Sequence, residues 1–156
     1  MVKVIDNFLT SDQKDFVTWY CLDASYQYGE YDREELPPTG MVSEIDETEE
    51  IYELFRDKTK NLVFGLELDR MYVNCFAPTE NPYFHTDWED GITFLYYPEQ
   101  SWKLDDGGET QFYIDGEIRG IVPISNRMVY FDANILHRAT TFRDRHRFTI
   151  AIKYMR

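Results

Sequence analysis

The chain has 156 residues, 43% of them hydrophobic and 17% aromatic, which is enough apolar material for one domain with a single core and too much for a disordered chain. Twenty-nine acids against sixteen bases leave a net charge of −13, which opposes nucleic-acid backbones and anionic membrane surfaces, and no run reaches the roughly 20 apolar residues of a membrane span. Two cysteines, Cys21 and Cys75, are too few for a disulfide framework or a Cys-rich zinc site, and Asp6 interrupts the N-terminal run before it can serve as a secretory signal, so a reducing, cytoplasmic setting is expected.

Val2 to Ile5 reads as a short strand. Thr10-x-x-Gln13 has the form of a capping box, and Phe16, Val17, Tyr20 and Cys21 are spaced for one buried helical face. Residues 25–50 change character: three tyrosines, an acidic run, Pro37-Pro38-Thr-Gly40 and a second acidic run predict an exposed loop, either a lid that closes over substrate or a solvated surface. A second amphipathic helix is predicted over about 48–62, with Ile51, Leu54, Phe55 and Leu62 facing inward. After Gly65 the period changes to two. Segments 66–76, 91–97, 109–114, 127–131 and 147–154 alternate, and Asn81-Pro82, Asp90-Gly91, Gly107-Gly108, Asp115-Gly116 and Pro123 mark turns between them. Helices followed by many short strands predict an α+β fold: an antiparallel barrel or jelly roll with helices packed on one outer face.

Three histidines are present, and their spacing carries chemistry. His85-Thr86-Asp87 sets an imidazole and a carboxylate at i and i+2, on one face of an extended segment. His137 stands 50 positions beyond Asp87, at the end of another alternating segment. Two neutral imidazoles and a carboxylate form the facial triad that suits Fe(II) and leaves positions open; the ligand set alone leaves zinc open too. Arg147 lies ten positions after His137 with Thr149 on the same strand face, and a guanidinium inside a barrel needs an anionic partner. His146 alternates outward and reads as a surface residue, and Gly107-Gly108 lacks the Lys-Ser/Thr of a phosphate cradle and reads as a turn or bulge.

Taken together, Phe84-His-Thr-Asp87, Thr93-Phe-Leu-Tyr-Tyr97, Asp106-Gly-Gly-Glu-Thr110, Asn126 to Asp132, Leu136-His137 and Arg147-Phe-Thr149 resemble the Fe(II)/2-oxoglutarate-dependent oxygenases, in particular the prolyl 4-hydroxylase-like branch. The resemblance runs over essentially the whole chain, most densely over 70–154, and implies a double-stranded β-helix (jelly roll) core in one domain, 1–156. It implies that His85, Asp87 and His137 hold Fe(2+), that Arg147 with Thr149 binds the far carboxylate of 2-oxoglutarate, and that the Tyr97 hydroxyl serves the same carboxylate. Asn74-Cys-Phe-Ala-Pro78 resembles a stretch of the AlkB-like demethylases in which the asparagine contacts 2-oxoglutarate, making Asn74 a candidate; Phe76 stands where those relatives carry tyrosine, and Tyr72, one pleat away, is the candidate to replace that hydroxyl. The implied activity is dioxygenase chemistry that hydroxylates a C–H bond, with O2 as oxidant, ascorbate as a reductant, and succinate and CO2 as co-products. Because the carboxylate ligand is Asp87, hydroxylation is expected over halogenation. The implied substrate is a prolyl or other side chain in a peptide or protein, with a small molecule as a second class; nucleic acid is disfavoured by charge. A non-catalytic jelly-roll binding or metal-sensing module is the alternative reading.

Overall fold

The structure is a computed structural model that describes residues 1–98 and 100–156. The first strand, β1 (Val2–Ile5), leads into helix α1 (Ser11–Asp23). The capping box expected at its start is present: Thr10 Oγ1 accepts from Gln13 N, and the Gln13 side chain accepts from Thr10 N. Strands β2 (Gln27–Tyr28) and β3 (Met41–Glu44) follow, then α2 (Glu50–Thr59), which passes into a short 3-10 turn over Lys60–Leu62.

Two expectations are corrected here. Residues 25–50 are not one loop, because β3 pairs antiparallel with β4 (Glu67–Phe76) over four residues and carries β2 on its outer edge. Pairing with a distant strand, rather than local composition, makes this segment extended. The second helix is shorter than 48–62, and the change of helical pitch at Lys60 turns Leu62 outward, leaving it 42% exposed.

The remaining strands are β5 (Gly91–Tyr97), β6 (Thr110–Ile114), β7 (Glu117–Ile121), β8 (Arg127–Asp132), β9 (His137–Ala139) and β10 (Arg147–Met155). β7 has almost no buried side chains, so it lacks the alternation that marks the others in the sequence. The strands form a seven-stranded sheet in the order β1-β8-β5-β10-β4-β3-β2, facing a three-stranded sheet, β7-β6-β9. Every pairing is antiparallel.

Period-two alternation gives the large sheet two faces with different work. Its outer face presents Met71, Val73, Phe94, Tyr96, Met128, Ile150 and Ile152, which bury Val17 and Cys21 of α1 and Ile51 and Phe55 of α2. Both helices therefore lie on that face, as the sequence predicts. The inner face presents Tyr72, Leu95, Tyr97, Val129, Phe131 and Ala151 toward Phe112 of the small sheet.

The register fixes the floor of the space between the sheets. β10 pairs with β4 so that Lys153 opposes Arg70, Ala151 opposes Tyr72, Thr149 opposes Asn74 and Arg147 opposes Phe76. On its other side, Lys153 opposes Thr93 and Ala151 opposes Leu95 of β5. All these residues share one parity, so one strand face carries them from the rim at Lys153 to the depth at Arg147.

Candidate metal centre

His137 begins β9, opposite Phe112 of β6, and a backbone bridge joins it to His85. His85 N donates to His137 O at 3.0 Å and His137 N donates to His85 O at 2.9 Å. That bridge brings the imidazoles together, tilted to one another with centroids 4.5 Å apart, and the Phe131 ring packs edge-on against His137 at 4.6 Å. Asp87 N donates to Ala133 O at 2.9 Å, which turns the carboxylate back toward both rings. Asp87 Oδ1 lies 3.6 Å from His85 Nε2, and Asp87 Oδ2 lies 3.6 Å from His137 Nε2. One donor atom from each of the three residues falls within 4.8 Å of the others. Residues 50 positions apart in sequence are thus brought together by the fold.

The protonation states suit a cation. Each Nδ1 faces a backbone carbonyl, Tyr83 O at 3.1 Å for His85 and Ile135 O at 2.8 Å for His137, which leaves both Nε2 lone pairs directed inward. Burial pushes the His137 imidazole down to about 4, so it is neutral at neutral pH and free to act as a donor. Burial alone would raise the Asp87 carboxyl, yet His85, His137 and Lys153 together hold it well below the usual carboxylate range. Burial works against protonation of His85 as well, but the bond and charge of Asp87 raise it above the ordinary histidine value. Two imidazoles and a carboxylate gathered on one side of a cavity fit a divalent iron with open positions.

Three groups around the triad carry no signal in the His-x-Asp pattern. The Thr93 hydroxyl donates to Asp87 Oδ2 at 2.5 Å, and Lys153 Nζ lies 2.8 Å from Asp87 Oδ1. Strand parity with Arg147 and Tyr97 is the sequence signal that points both inward. Asp32, from the loop between β2 and β3, brings Oδ1 to 3.3 Å from His85 Nδ1. Its Oδ2 accepts from Thr39 Oγ1 and Tyr83 N, both at 2.8 Å. Nothing in the sequence marks Asp32, since the fold alone carries it there.

The triad opens into a cavity of about 460 Å³ whose wall includes Tyr72, Asn74, Arg147, Thr149 and Lys153. At its deep end Arg147 is 1% exposed. Its Nε donates to Gly108 O at 2.6 Å and its Nη2 to Thr110 Oγ1 at 2.9 Å. Among the described residues, no carboxylate lies within ion-pair distance of this guanidinium, and burial lowers its affinity for its proton, opposed by Tyr97 and by the charge of Glu109. Thr149 shares its strand face, 2% exposed. Tyr97 stands against Arg147, with its ring centroid 5.6 Å from the guanidinium carbon, and its hydroxyl is engaged by Thr110 Oγ1 at 2.6 Å. Thr110 therefore joins the two, a link the sequence reading lacks. Gly108 has a φ of +81°, and a Cβ there would meet the Phe142 ring at 2.4 Å, so the Gly107-Gly108 pair is the turn that aims a carbonyl at Arg147. His146 is exposed, as alternation predicts.

A cavity lined by three metal-type donors and by a buried guanidinium with no carboxylate at ion-pair distance among the described residues can hold a cation and a dianion together. The sequence model described as the 2OG-Fe(II) oxygenase superfamily matches residues 71–155, which contain all of these groups except Asp32. The chain belongs to this superfamily. As a 2OG-Fe(II) oxygenase it is an oxidoreductase that uses Fe(2+), 2-oxoglutarate and O2. Among solved structures, the oxygenase fold superposes on a prolyl-4-hydroxylase from Pseudomonas putida with TM-score 0.81 at 18% identity, covering 99% of this chain and 92% of that one. A prolyl hydroxylase from Trichoplax adhaerens, in complex with a hypoxia inducible factor oxygen degradation domain peptide fragment, gives TM-score 0.82 at 18% identity, over 99% and 83% of the two chains. HygX from Streptomyces hygroscopicus, with nickel and 2-oxoglutarate bound, gives 0.76 at 10% identity, over 99% and 82%. No curated protein matches the sequence at a significant level. These likenesses establish the double-stranded β-helix. In the oxygenase, no helix among the described residues is long and apolar enough to cross a membrane.

Proposed function

We propose that residues 1–156 form one oxygenase domain that hydroxylates a C–H bond of a prolyl or other side chain in a peptide, with succinate and CO2 as co-products. In this reading His85, Asp87 and His137 hold the iron, and Arg147 with Thr149 holds the far carboxylate of 2-oxoglutarate. Iron, 2-oxoglutarate and O2 together supply the oxidative decarboxylation and the C–H oxidation, with ascorbate as a reductant. The observation that carries the proposal is Arg147: a buried guanidinium with no carboxylate at ion-pair distance among the described residues, opening on the same cavity as the triad. An unpaired buried charge is costly, and a bidentate carboxylate ligand removes that cost.

The chain's own residues do four things. The Tyr83 and Ile135 carbonyls fix the imidazole tautomers, so Nε2 of each ring would be free to hold the cation. Thr110 and Gly108 leave the Arg147 fork aimed inward, with Tyr97 behind it. Asn74 and Tyr72 line the wall between Arg147 and the triad, where their polar atoms can reach the co-substrate. Loop residues Tyr31, Asp32 and Arg33, together with Trp88, border the opening, and the exposed Tyr31 and Trp88 rings offer flat apolar surface to a substrate side chain. That border supports a closing role for the segment between β2 and β3.

Peptide as substrate class is supported by the likeness to the two prolyl hydroxylases, and a small molecule by the likeness to HygX. Both cysteines are buried free thiols, which supports a cytoplasmic setting. The test is direct. Anaerobic Fe(II) with 2-oxoglutarate should give a weak visible charge-transfer band, and admission of air should release succinate. Screening peptide and small-molecule pools for a product heavier by one oxygen then identifies the substrate. A protein that gives neither band nor succinate is a binding module, and the proposal falls.

A further inference from the structure

Lys153 is not needed to complete a facial triad, yet its ammonium lies 2.8 Å from Asp87 Oδ1. Its side chain is 22% exposed, and the Tyr72 ring centroid is 5.2 Å from Nζ. Directly across β5–β10 stands Thr93, whose hydroxyl donates to the other carboxylate oxygen, Oδ2, at 2.5 Å. The Asp87 carboxylate, 4% exposed, is thus gripped by a cross-strand pair, one prong charged and the other neutral.

The two prongs are not equivalent to an arriving divalent ion. A metal on Oδ1 would share that oxygen with an ammonium, and two cations on one atom repel strongly in a buried site. A metal on Oδ2 shares it with a neutral hydroxyl and lies on the side of His137 Nε2, while His85 Nε2, 3.6 Å from Oδ1, reaches the same ion from the opposite side within the 4.8 Å span of the three donors. Chelation by both oxygens would bring the metal against Lys153 as well. We propose that Lys153 is a positioning residue that occupies Asp87 Oδ1 and so confines the metal to one carboxylate oxygen. The consequence is kinetic as well as geometric. A carboxylate that contributes a single oxygen leaves one more position for the co-substrate and dioxygen, at the cost of weaker metal binding. The inference rests on His85, Asp87 and His137 being the metal ligands.

The experiment is a Mn(II) titration, followed by the electron paramagnetic resonance of the free ion, on wild type, Lys153→Met, Lys153→Gln and Asp87→Ala. Removing a like charge beside the metal should tighten Mn(II) binding roughly tenfold in both Lys153 variants. A residue with a merely structural role would weaken binding instead. Lys153→Gln keeps an amide donor for Oδ1 and serves where the methionine variant does not fold. In steady-state assays of succinate release, kcat should fall while the KM for 2-oxoglutarate stays within about twofold, because Arg147 is untouched. Unchanged or weaker Mn(II) affinity overturns the inference, and so does a tightened site with undiminished kcat. If Asp87→Ala binds Mn(II) as wild type does, the ligand assignment has failed rather than the role of Lys153.

Discussion

Arg147 draws its properties from what surrounds it rather than from its own chemistry. Gly108 O and Thr110 Oγ1 occupy two of its donors, and the residue, 1% exposed to bulk solvent, lines the cavity. Arg147→Ala should therefore raise the KM for 2-oxoglutarate by roughly 10- to 100-fold, the loss of a charge-assisted bond worth about 1.5–3 kcal/mol, as read by succinate release. An unchanged KM would send the co-substrate carboxylate elsewhere. The sequence contains the reasons for this residue and for the triad: His-x-Asp, a distant His at a strand end, and an Arg ten positions later, each on an inward parity. Lys153 obeys the same parity and is legible once Arg147 is read inward, since 147, 149, 151 and 153 alternate onto one face. Thr110 is less legible. Its role comes from a contact between strands of different sheets, Arg147 of β10 and Thr110 of β6, and no local pattern encodes that pairing.

At the scale of elements, turns and loops set the angles that strands cannot. The Gly107-Gly108 turn presents a carbonyl to Arg147 Nε only because residue 108 adopts a φ of +81°. Gly108→Ala forces a Cβ within 2.4 Å of the Phe142 ring and into a left-handed backbone. It should raise the KM for 2-oxoglutarate about tenfold while Mn(II) affinity stays at the wild-type value, because the triad lies on other elements. The loop between β2 and β3 acts on the triad itself. Asp32→Asn removes the carboxylate charge beside His85 Nδ1 and should weaken Mn(II) binding by about 10-fold or more, as outer partners of ligating histidines typically do. Hydrogen exchange over residues 30–39 should quicken in the same variant, since Asp32 also ties Thr39 and Tyr83. Strand alternation and the Thr10–Gln13 capping box are local, which is why α1 and the central strands are legible in sequence. β3 is extended because β4 pairs with it, and β7 is an exposed edge, so neither carries a local signature.

Across the whole molecule, the seven-stranded sheet separates two populations of side chains that alternate along the same strands. The outer set, with Ile51 and Phe55 fully buried and Phe55 against Tyr96, joins the helices to the sheet. The inner set shapes the cavity. This division predicts that stability and catalysis respond to different substitutions. Phe55→Ala deletes a ring whose centroid lies 5.2 Å from that of Tyr96, and should cost about 3–5 kcal/mol from lost burial and the cavity left behind. For a domain of this size that corresponds to a fall in Tm of roughly 10 °C, measured by calorimetry. At a temperature where the variant remains folded, the KM for 2-oxoglutarate and the Mn(II) affinity should match wild type, because Tyr72, Thr149 and Arg147 project from the opposite face. Arg147→Ala is expected to do the reverse: it removes a buried charge with no carboxylate at ion-pair distance among the described residues, so it should impair co-substrate binding with little loss of Tm in the absence of 2-oxoglutarate. Added 2-oxoglutarate and Mn(II) should then raise the Tm of wild type and Phe55→Ala alike, while the Arg147→Ala protein gains less from the same concentration. Parallel losses of Tm and affinity in Phe55→Ala would mean instead that the helices hold the sheet in the curvature the cavity needs, and that the two faces are mechanically coupled.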